Sequence, residues 1–394
     1  MNSRMTFAGF SRPFGTCGIP NLNPAVNCRA IFKSPSGREK TPGQWVQTPP
    51  TQQKRGATET CSVSLKRFRG THARWLGVAF AAWLTCVSFL CAGADAPSFR
   101  FQTNDVIAFV GGEDVVEMQR NGYLELLLTV ALPDHKLRFR NLAFEGDTVF
   151  EQHRQLNFPS WEKQLERVGA TVVVAQFGQA ESLTGTNRLA DFVSAYEKLL
   201  NRFTSGGRRL VLLSPTPFEK APDPLPEPKD RNAILDVYVD AIRRLAQERK
   251  SGFVDLFTHW QPEPSQSSMP SISRDGSHLN SRGQWNVARE IFTALGFGDF
   301  WVTLGIDARS GAVSHPRPEP LRQLIIEKNR LWFDYWRPQN WAFLHGDRTE
   351  QPSSRDHRDP KKRWFPEEME RFLPLIEEKE REIWKAAANL AKGK

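Results

Sequence analysis

Cysteine is scarce in this chain of 394 residues, and what there is lies near one end. The five cysteines are Cys17, Cys28, Cys61, Cys86 and Cys91. Everything after them is therefore without a disulfide, a thiol nucleophile or a cysteine-ligated metal. The sequence also lacks a Walker-type loop, a dinucleotide-binding glycine fingerprint and internal repeats, which argues against nucleotide-dependent chemistry and repeat architectures.

Acidic residues are scarce in the first part of the chain. The whole chain has 53 Lys plus Arg and 44 Asp plus Glu, and residues 1–96 contain 12 of the former and 3 of the latter, which leaves 41 of each. The net charge of +9 therefore belongs to the N-terminal segment. A neutral remainder gives no support for nucleic-acid binding.

The N-terminal segment has the layout of a targeting sequence. Residues 1–65 are rich in Pro, Gly, Ser, Thr and Gln, which predicts a disordered or untranslated leader. In residues 66–96, basic residues precede an apolar run from Trp75 to Leu90, followed by Ala94-Asp95-Ala96. This pattern predicts a signal peptide cleaved near Ala96 and export to the periplasm or cell surface. The alternative is an uncleaved run that anchors the protein as one transmembrane helix.

Apolar strand-like runs alternate with amphipathic segments between residues 104 and 297. This alternation predicts an α/β domain with a parallel sheet of about five strands and helices on both faces. The predicted strands are Val106–Gly111, Leu137–Phe144, Thr171–Phe177, Arg209–Ser214 and Gly252–Phe257. Ligands of such sheets bind beyond the carboxyl ends of the strands.

A short acidic-histidine motif follows the last predicted strand. Asp275 and His278 are three residues apart in the run Asp275-Gly276-Ser277-His278, so a loop can turn both side chains toward one cleft. There the carboxylate can fix the tautomer of the imidazole, which makes the two a candidate general-base pair.

These blocks resemble the SGNH (GDSL-type) hydrolases, and the resemblance covers about half of the chain. Asp275 and His278 match the D-x-x-H of that family, and Asn141 to Thr148 is similar to its N-x-x-x-x-G-D-T block. The resemblance implies a flavodoxin-like three-layer fold over residues 97–298, with a helix from Gln284 to Leu295. It also implies that the amide of Gly146 donates to an oxyanion.

Two other blocks depart from the family pattern. After the first strand, Glu113 stands where the resemblance implies the serine nucleophile. In the third block, which begins at Gly178, Ala180 replaces the oxyanion asparagine and Glu181 follows it. Loss of one oxyanion donor costs about 3–4 kcal/mol of transition-state stabilisation, and loss of the nucleophile removes the covalent route.

Other residues near the predicted cleft leave several alternatives open. Ser182, Ser214 and Ser277 are the serines that could replace the nucleophile. Glu113 could act as a base beside His278, hold a divalent cation with Asp275 and Glu181, or be solvated or cap the next helix. We predict no metal and no cofactor.

Residues 299–394 form a predicted helical extension rich in aromatic residues. One helix spans Leu321 to Tyr335, and a second starts near Pro366, with a kink expected at Pro374. Asn329-Arg330 and the run Trp336 to Asn340 resemble the tails of planctomycete-type exported SGNH proteins. The extension could be a helical hairpin packed on the domain or a lid that contacts substrate.

Two functional hypotheses follow. The first is an exported deacylase that acts on a small-molecule ester or an acylated carbohydrate, with His278 as base, Asp275 orienting it and Gly146 as oxyanion donor. The second is a pseudoenzyme that binds a carbohydrate or a protein partner in the former active-site cleft. Glu113 and Ala180 favour the second, whereas Asp275 and His278 favour the first.

Overall fold

The computed structural model describes residues 99–393, except 153–156, 222, 225–229, 261–270, 308–310 and 313–316. The predicted leader and signal peptide lie outside the described residues. So do most of the proline-rich run at 221–229 and most of the loop before the Asp-His motif. None of the described helices combines the length and the apolar character that a bilayer crossing requires.

Five parallel strands form the central sheet. They are β1 (Val106–Gly111), β2 (Arg138–Asn141), β3 (Val172–Gln176), β4 (Arg209–Leu213) and β5 (Gly252–Val254). Their order is β2-β1-β3-β4-β5. This is the flavodoxin-like order, and its switch point lies between β1 and β3, where the connections leave in opposite directions. The prediction of an α/β parallel sheet is confirmed.

Helices cover both faces of the sheet, so the strands are buried on both sides. In β1, Ile107 and Phe109 face one buried cluster, whereas Ala108 and Val110 face the other. The helices within residues 99–304 that carry the domain are Glu113–Asn121, Tyr123–Ala131, Trp161–Arg167, Gln179–Ser182, Leu189–Thr204, Arg231–Glu248 and Ser281–Phe292.

Four strands are shorter than predicted, and β2 and β5 are shorter by three or more residues because the chain turns into site loops. β5 ends at Val254, and the amides of Leu256 and Phe257 donate to the Ser214 hydroxyl, at 2.8 and 3.0 Å, instead of extending the ladder. β2 ends at Asn141, where the glycine-containing second block begins. Apolar runs continue beyond the strands in both places, so hydrophobicity alone overestimates their length.

The predicted helix at Gln284–Leu295 starts three residues earlier than expected, at Ser281. Asn280 caps it by accepting the amide hydrogen of Gly283 at 3.0 Å. After Phe292 the chain continues as a turn of π-helix, Thr293–Phe297. An asparagine before an apolar helical pattern is a start signal, and it fixes the end of the Asp-His loop to the helix.

The C-terminal extension packs onto the domain through two long helices, Pro318–Trp336 and Phe372–Ala391, which also contact each other. A shorter helix, Trp364–Glu370, precedes the second, so the chain breaks at Arg371 rather than at Pro374. Pro374 lies in the first turn, where proline replaces an amide without an intrahelical partner.

Buried charges connect this extension to the sheet. The fully buried Lys328 ammonium lies 2.8 Å from Glu125 Oε1, and Glu380 lies 2.5 Å from Arg140 on β2. Burial raises the pKa of Glu125, although Lys328 opposes the shift. The extension therefore belongs to the same compact unit as the sheet.

Candidate active site

A cleft of about 260 Å³ opens at the carboxyl ends of β1 and β3. It is lined by residues from all four sequence blocks. Those predicted from sequence are Glu113, Gly146, Gly178, Ala180, Glu181 and His278. Asp275 joins them through its contact with His278. The catalytic and binding roles of these residues stay predictions, but the structure brings the side chains and backbone together.

The geometry of the loop places the Asp-His pair for proton transfer. Asp275 Oδ2 lies 2.7 Å from His278 Nδ1, and Asp275 Oδ1 accepts the amide hydrogens of Ser277 and His278 at 3.0 and 2.8 Å. Burial opposes ionisation of Asp275, but these hydrogen bonds outweigh it and hold its pKa well below the ordinary value. Gly276 allows the turn because its φ is +92° and a Cβ would lie 2.9 Å from the carbonyl oxygen of Glu219.

Glu113 occupies the other side of the imidazole. Its Oε2 lies 3.1 Å from His278 Nε2, and its Oε1 accepts a hydrogen bond from Arg274. Glu113 lies two residues after Gly111, where φ is +153° and a Cβ would come within 2.5 Å of the Gln176 carbonyl oxygen. This constraint fixes the exit from β1 and therefore the position of Glu113 at the first turn of its helix.

The two carboxylates change the acid–base behaviour of His278. Burial lowers its pKa, but the hydrogen bond that Nδ1 donates to Asp275 and the charges of Glu113 and Asp275 outweigh that effect and raise it above the ordinary value near 6.5. Both ring nitrogens lie within hydrogen-bonding distance of a carboxylate oxygen. The arrangement is therefore best satisfied by an imidazolium between two carboxylates.

Asp114 is a cleft residue that the sequence reasoning missed. Burial raises its pKa to about 6, against the hydrogen bond that its Oδ1 accepts from Leu279 N at 2.9 Å. Its backbone carbonyl also accepts from Gln284. The sequence signal for Asp114 was an acidic residue directly after the nucleophile position. The signal for the ion pair between Arg274 and Glu113 was an arginine directly before Asp275.

Gly146 exposes its backbone to the cleft. Its φ is +78°, no atom lies within 4 Å of a Cβ built on it, and its amide has no hydrogen-bond partner among the described residues. The extension holds this loop from behind: Arg337 pairs with Glu145, and Trp332 Nε1 donates to the Asn141 carbonyl at 2.8 Å.

The third block has no second oxyanion donor in the position where the family has one. Ala180 offers no polar side chain, and the side-chain amide of Gln179 donates to the carbonyl of Thr216 at 3.1 Å. Glu181 is buried, and its carboxylate accepts the amides of Val149 and Gly178 at 2.7 and 2.8 Å. Glu181 therefore joins the loops of Val149 and Gly178 at the edge of the cleft.

Two of the alternative nucleophiles are used structurally. Ser214 is fully buried and accepts two amides, and Ser182 is 2% exposed and donates to the carbonyl of Gln179 at 2.7 Å. Ser277 lies beside the histidine, with its hydroxyl 3.1 Å from Asp275 Oδ1 and 3.3 Å from His278 Nδ1. No group of three possible metal-ligating side chains occurs within the described residues.

The fold and the convergence of the four blocks define an α/β domain with the architecture of the SGNH hydrolases. Residues 111–285 match the GDSL-like lipase/acylhydrolase family, which supports an SGNH/GDSL hydrolase domain over that part of the chain. No curated protein sequence matched the chain.

Several solved structures are similar to about half of this chain. A gut microbial diltiazem-metabolizing enzyme is 17% identical over 51% of this chain, with a TM-score of 0.43, and the match spans only 49% of that enzyme. An alpha/beta hydrolase from the metagenome of Lake Arreo is 18% identical over 50% of this chain and 98% of its own, with a TM-score of 0.40. A catalytic mutant of an acetylxylan esterase from Geobacillus stearothermophilus is 17% identical over 50% and 97%, with a TM-score of 0.42.

Proposed function

We propose that this protein binds an acylated carbohydrate in the former active-site cleft and does not turn over esters by serine chemistry. The observation that carries the proposal is the Glu113 carboxylate at Nε2 of His278. In a serine hydrolase that nitrogen must accept the proton of the nucleophile. Here a carboxylate holds it instead, and the raised pKa of His278 favours the charged form, which cannot act as a base.

The chemistry of the cleft supports a polyhydroxylated ligand. Carboxylates at Glu113 and Asp114 can accept hydrogen bonds from sugar hydroxyls, and the Gly146 amide can donate to an acyl carbonyl. Phe177 adds apolar surface to the lining. A neutral ligand with many hydroxyl groups uses these acceptors without adding a further negative charge to the carboxylates of the cleft.

The binding test uses the full chain and acetylated xylo-oligosaccharides, with deacetylated oligosaccharides in parallel, measured by calorimetry. We expect binding without acetate release above background, and no labelling by a fluorophosphonate. Replacing Glu113→Gln weakens charge-assisted hydrogen bonds and should reduce affinity about tenfold or more. Asp240→Asn, on an exposed carboxylate outside the cleft, is the control. Equal binding by wild type and the Glu113 variant would contradict the proposal.

A second candidate function, hydrolysis by direct attack of water, is favoured by the intact contact between Asp275 and His278. If Glu113 left Nε2, His278 could take a proton from water while the hydroxide added to the acyl carbonyl carbon. Collapse of the intermediate would expel the alcohol, which takes the proton back from His278, and leave the carboxylic acid. Acetate release that disappears in His278→Ala would establish this function and overturn the binding-only proposal.

We also propose that the protein is exported. The signal-like composition of residues 66–96 supports this, as does the confinement of every cysteine to the segment before the cut. Mass spectrometry of the exported fraction should find an N-terminus near Pro97. Intact peptides from the first fifty residues in that fraction would refute cleavage, and recovery of residues 75–90 with the membrane fraction would favour the anchor.

A further inference from the structure

A second cavity, of about 170 Å³, lies between the C-terminal extension and the domain. It is separate from the cleft and shares no lining residue with it. Its polar lining is made only of Arg167, Tyr335, Trp336, His345 and Arg363. No carboxylate lines the cavity within the described part of the chain, so its walls supply mainly hydrogen-bond donors.

Two of these donors lack partners. Trp336 is 8% exposed, and its Nε1 is buried without a hydrogen-bond acceptor among the described residues. The Nε of Arg363 is likewise buried without a hydrogen-bond acceptor among the described residues. A buried donor without an acceptor costs about 1–3 kcal/mol, so an acceptor that reaches either nitrogen would be stabilised.

The charge of the cavity points to an anion. Arg167 pairs with Glu370 at 2.7 Å, but Arg363 bonds only backbone carbonyls of Phe343 and Leu344 and has no acidic partner within the described residues. Burial, together with both arginines, lowers the pKa of His345 to about 4. At neutral pH the imidazole is therefore uncharged, and within the described residues no acidic side chain offsets the charge of Arg363.

We propose that this cavity binds a small carboxylate carried on a sugar-sized ring, such as a uronic acid. The guanidinium group of Arg363 and the indole N–H of Trp336 would donate to the carboxylate, whose planar oxygens suit arginine. Phe158 and Trp336, whose rings lie 6.3 Å apart at 86°, offer aromatic surface to the ring. A volume of 170 Å³ corresponds to about five or six waters, which suits one such residue but not a longer chain.

The test is calorimetry on the full chain with glucuronate, glucose, acetate and sulfate at low salt. We expect glucuronate to bind, acetate to bind more weakly and glucose not to bind. Trp336→Phe removes one donor but keeps the ring, and should weaken glucuronate binding about three- to tenfold. Arg363→Gln should weaken it about tenfold or more.

Two matched variants serve as controls, Trp364→Phe and Arg371→Gln, because both side chains are exposed in the same extension. Neither should change the affinity. Thermal melting establishes that each variant folds. If Arg363→Gln does not fold, Trp336→Phe alone still tests the proposal. Equal binding of glucose and glucuronate, absence of glucuronate binding, sulfate binding as tight as glucuronate, or unchanged affinity in Trp336→Phe would each overturn the proposal.

Discussion

Two histidines lie in opposite charge environments in this protein. His278 lies in the cleft between the carboxylates of Asp275 and Glu113, and its pKa is raised. His345 lies in the cavity of the extension, near Arg167 and Arg363, and burial and those charges lower its pKa to about 4. The same side chain is thus favoured as a cation in one region and as a neutral ring in the other.

This difference shows that the surrounding charges decide what each region can bind. The cleft has surplus acceptors, since Glu113 and Asp114 join the ordinary Asp-His pair. The cavity has surplus donors. A ligand rich in hydroxyl groups suits the first region, and an anion suits the second.

The largest expected effect concerns the buried charges that join the C-terminal extension to the domain. Lys328→Met leaves Glu125 buried without its cation, which should cost about 3–5 kcal/mol of the free energy of unfolding in urea titrations. Adding Glu125→Leu should recover part of the loss, because the uncompensated charge is removed. The control is Lys379→Met, on a surface ion pair worth about 1 kcal/mol or less. Equal losses in both lysine variants would mean that burial of the pair does not matter.

The next effect concerns the two missing catalytic parts. Wild type should not react with a fluorophosphonate, and Glu113→Ser should react slowly. Adding Ala180→Asn restores an oxyanion donor worth about 3–4 kcal/mol, so we expect labelling of Glu113→Ser/Ala180→Asn about a hundredfold faster or more. Glu113→Ala/Ala180→Asn is the matched control and should not be labelled. Labelling of wild type that disappears in His278→Ala would instead identify another serine.

The two histidines should give opposite pH dependences of the free energy of unfolding. The pKa of His345 is about 4 in the native state and near 6.5 when unfolded, so its contribution is present above pH 6.5 and is lost toward pH 4, by up to about 3 kcal/mol. The raised pKa of His278 gives a contribution that is present below pH 6.5 and is lost as the pH rises through the native value. His345→Gln should flatten the acidic side of the curve and His278→Gln the alkaline side. The same slope in both variants would contradict the assignment.

The smallest expected effect tests how the extension supports the cleft. Trp332→Phe removes the hydrogen bond to the Asn141 carbonyl and should cost about 1 kcal/mol. Amide hydrogen exchange should increase in residues 142–148, which follow that carbonyl. Trp364→Phe removes an exposed indole that donates to the Ser353 carbonyl, and it should leave exchange in this loop unchanged.

Much of the fold could be predicted from sequence because local patterns report it directly. The predicted limits of β1, Val106–Gly111, match the structure, since a fully buried strand reads as one apolar run. β5 was predicted too long because the apolar Leu256 and Phe257 continue the pattern while their amides bond Ser214. The pattern of apolar residues carries no information about which acceptor a backbone amide bonds, so it could not predict where β5 ends.

The site could be predicted only in part. The pairing of Asp275 with His278 and the position of Glu113 could be predicted from the sequence. These residues lie in loops after strands whose carboxyl ends meet at one edge of a parallel sheet. The role of Glu181 could not be predicted from the sequence. Its carboxylate accepts hydrogen bonds from Val149 and Gly178, which belong to loops distant in sequence.

The sequence by itself determined the alternation of strands and helices, the loss of the serine and the asparagine, and the neutral charge of the chain after residue 96. These are properties of residue type and spacing. Only the tertiary structure decided that Glu113 closes on His278, that the extension holds the loop of Gly146, and that His345 lies near two arginines. Pairwise electrostatics depends on distances and burial, and those are set by packing between segments far apart in the chain.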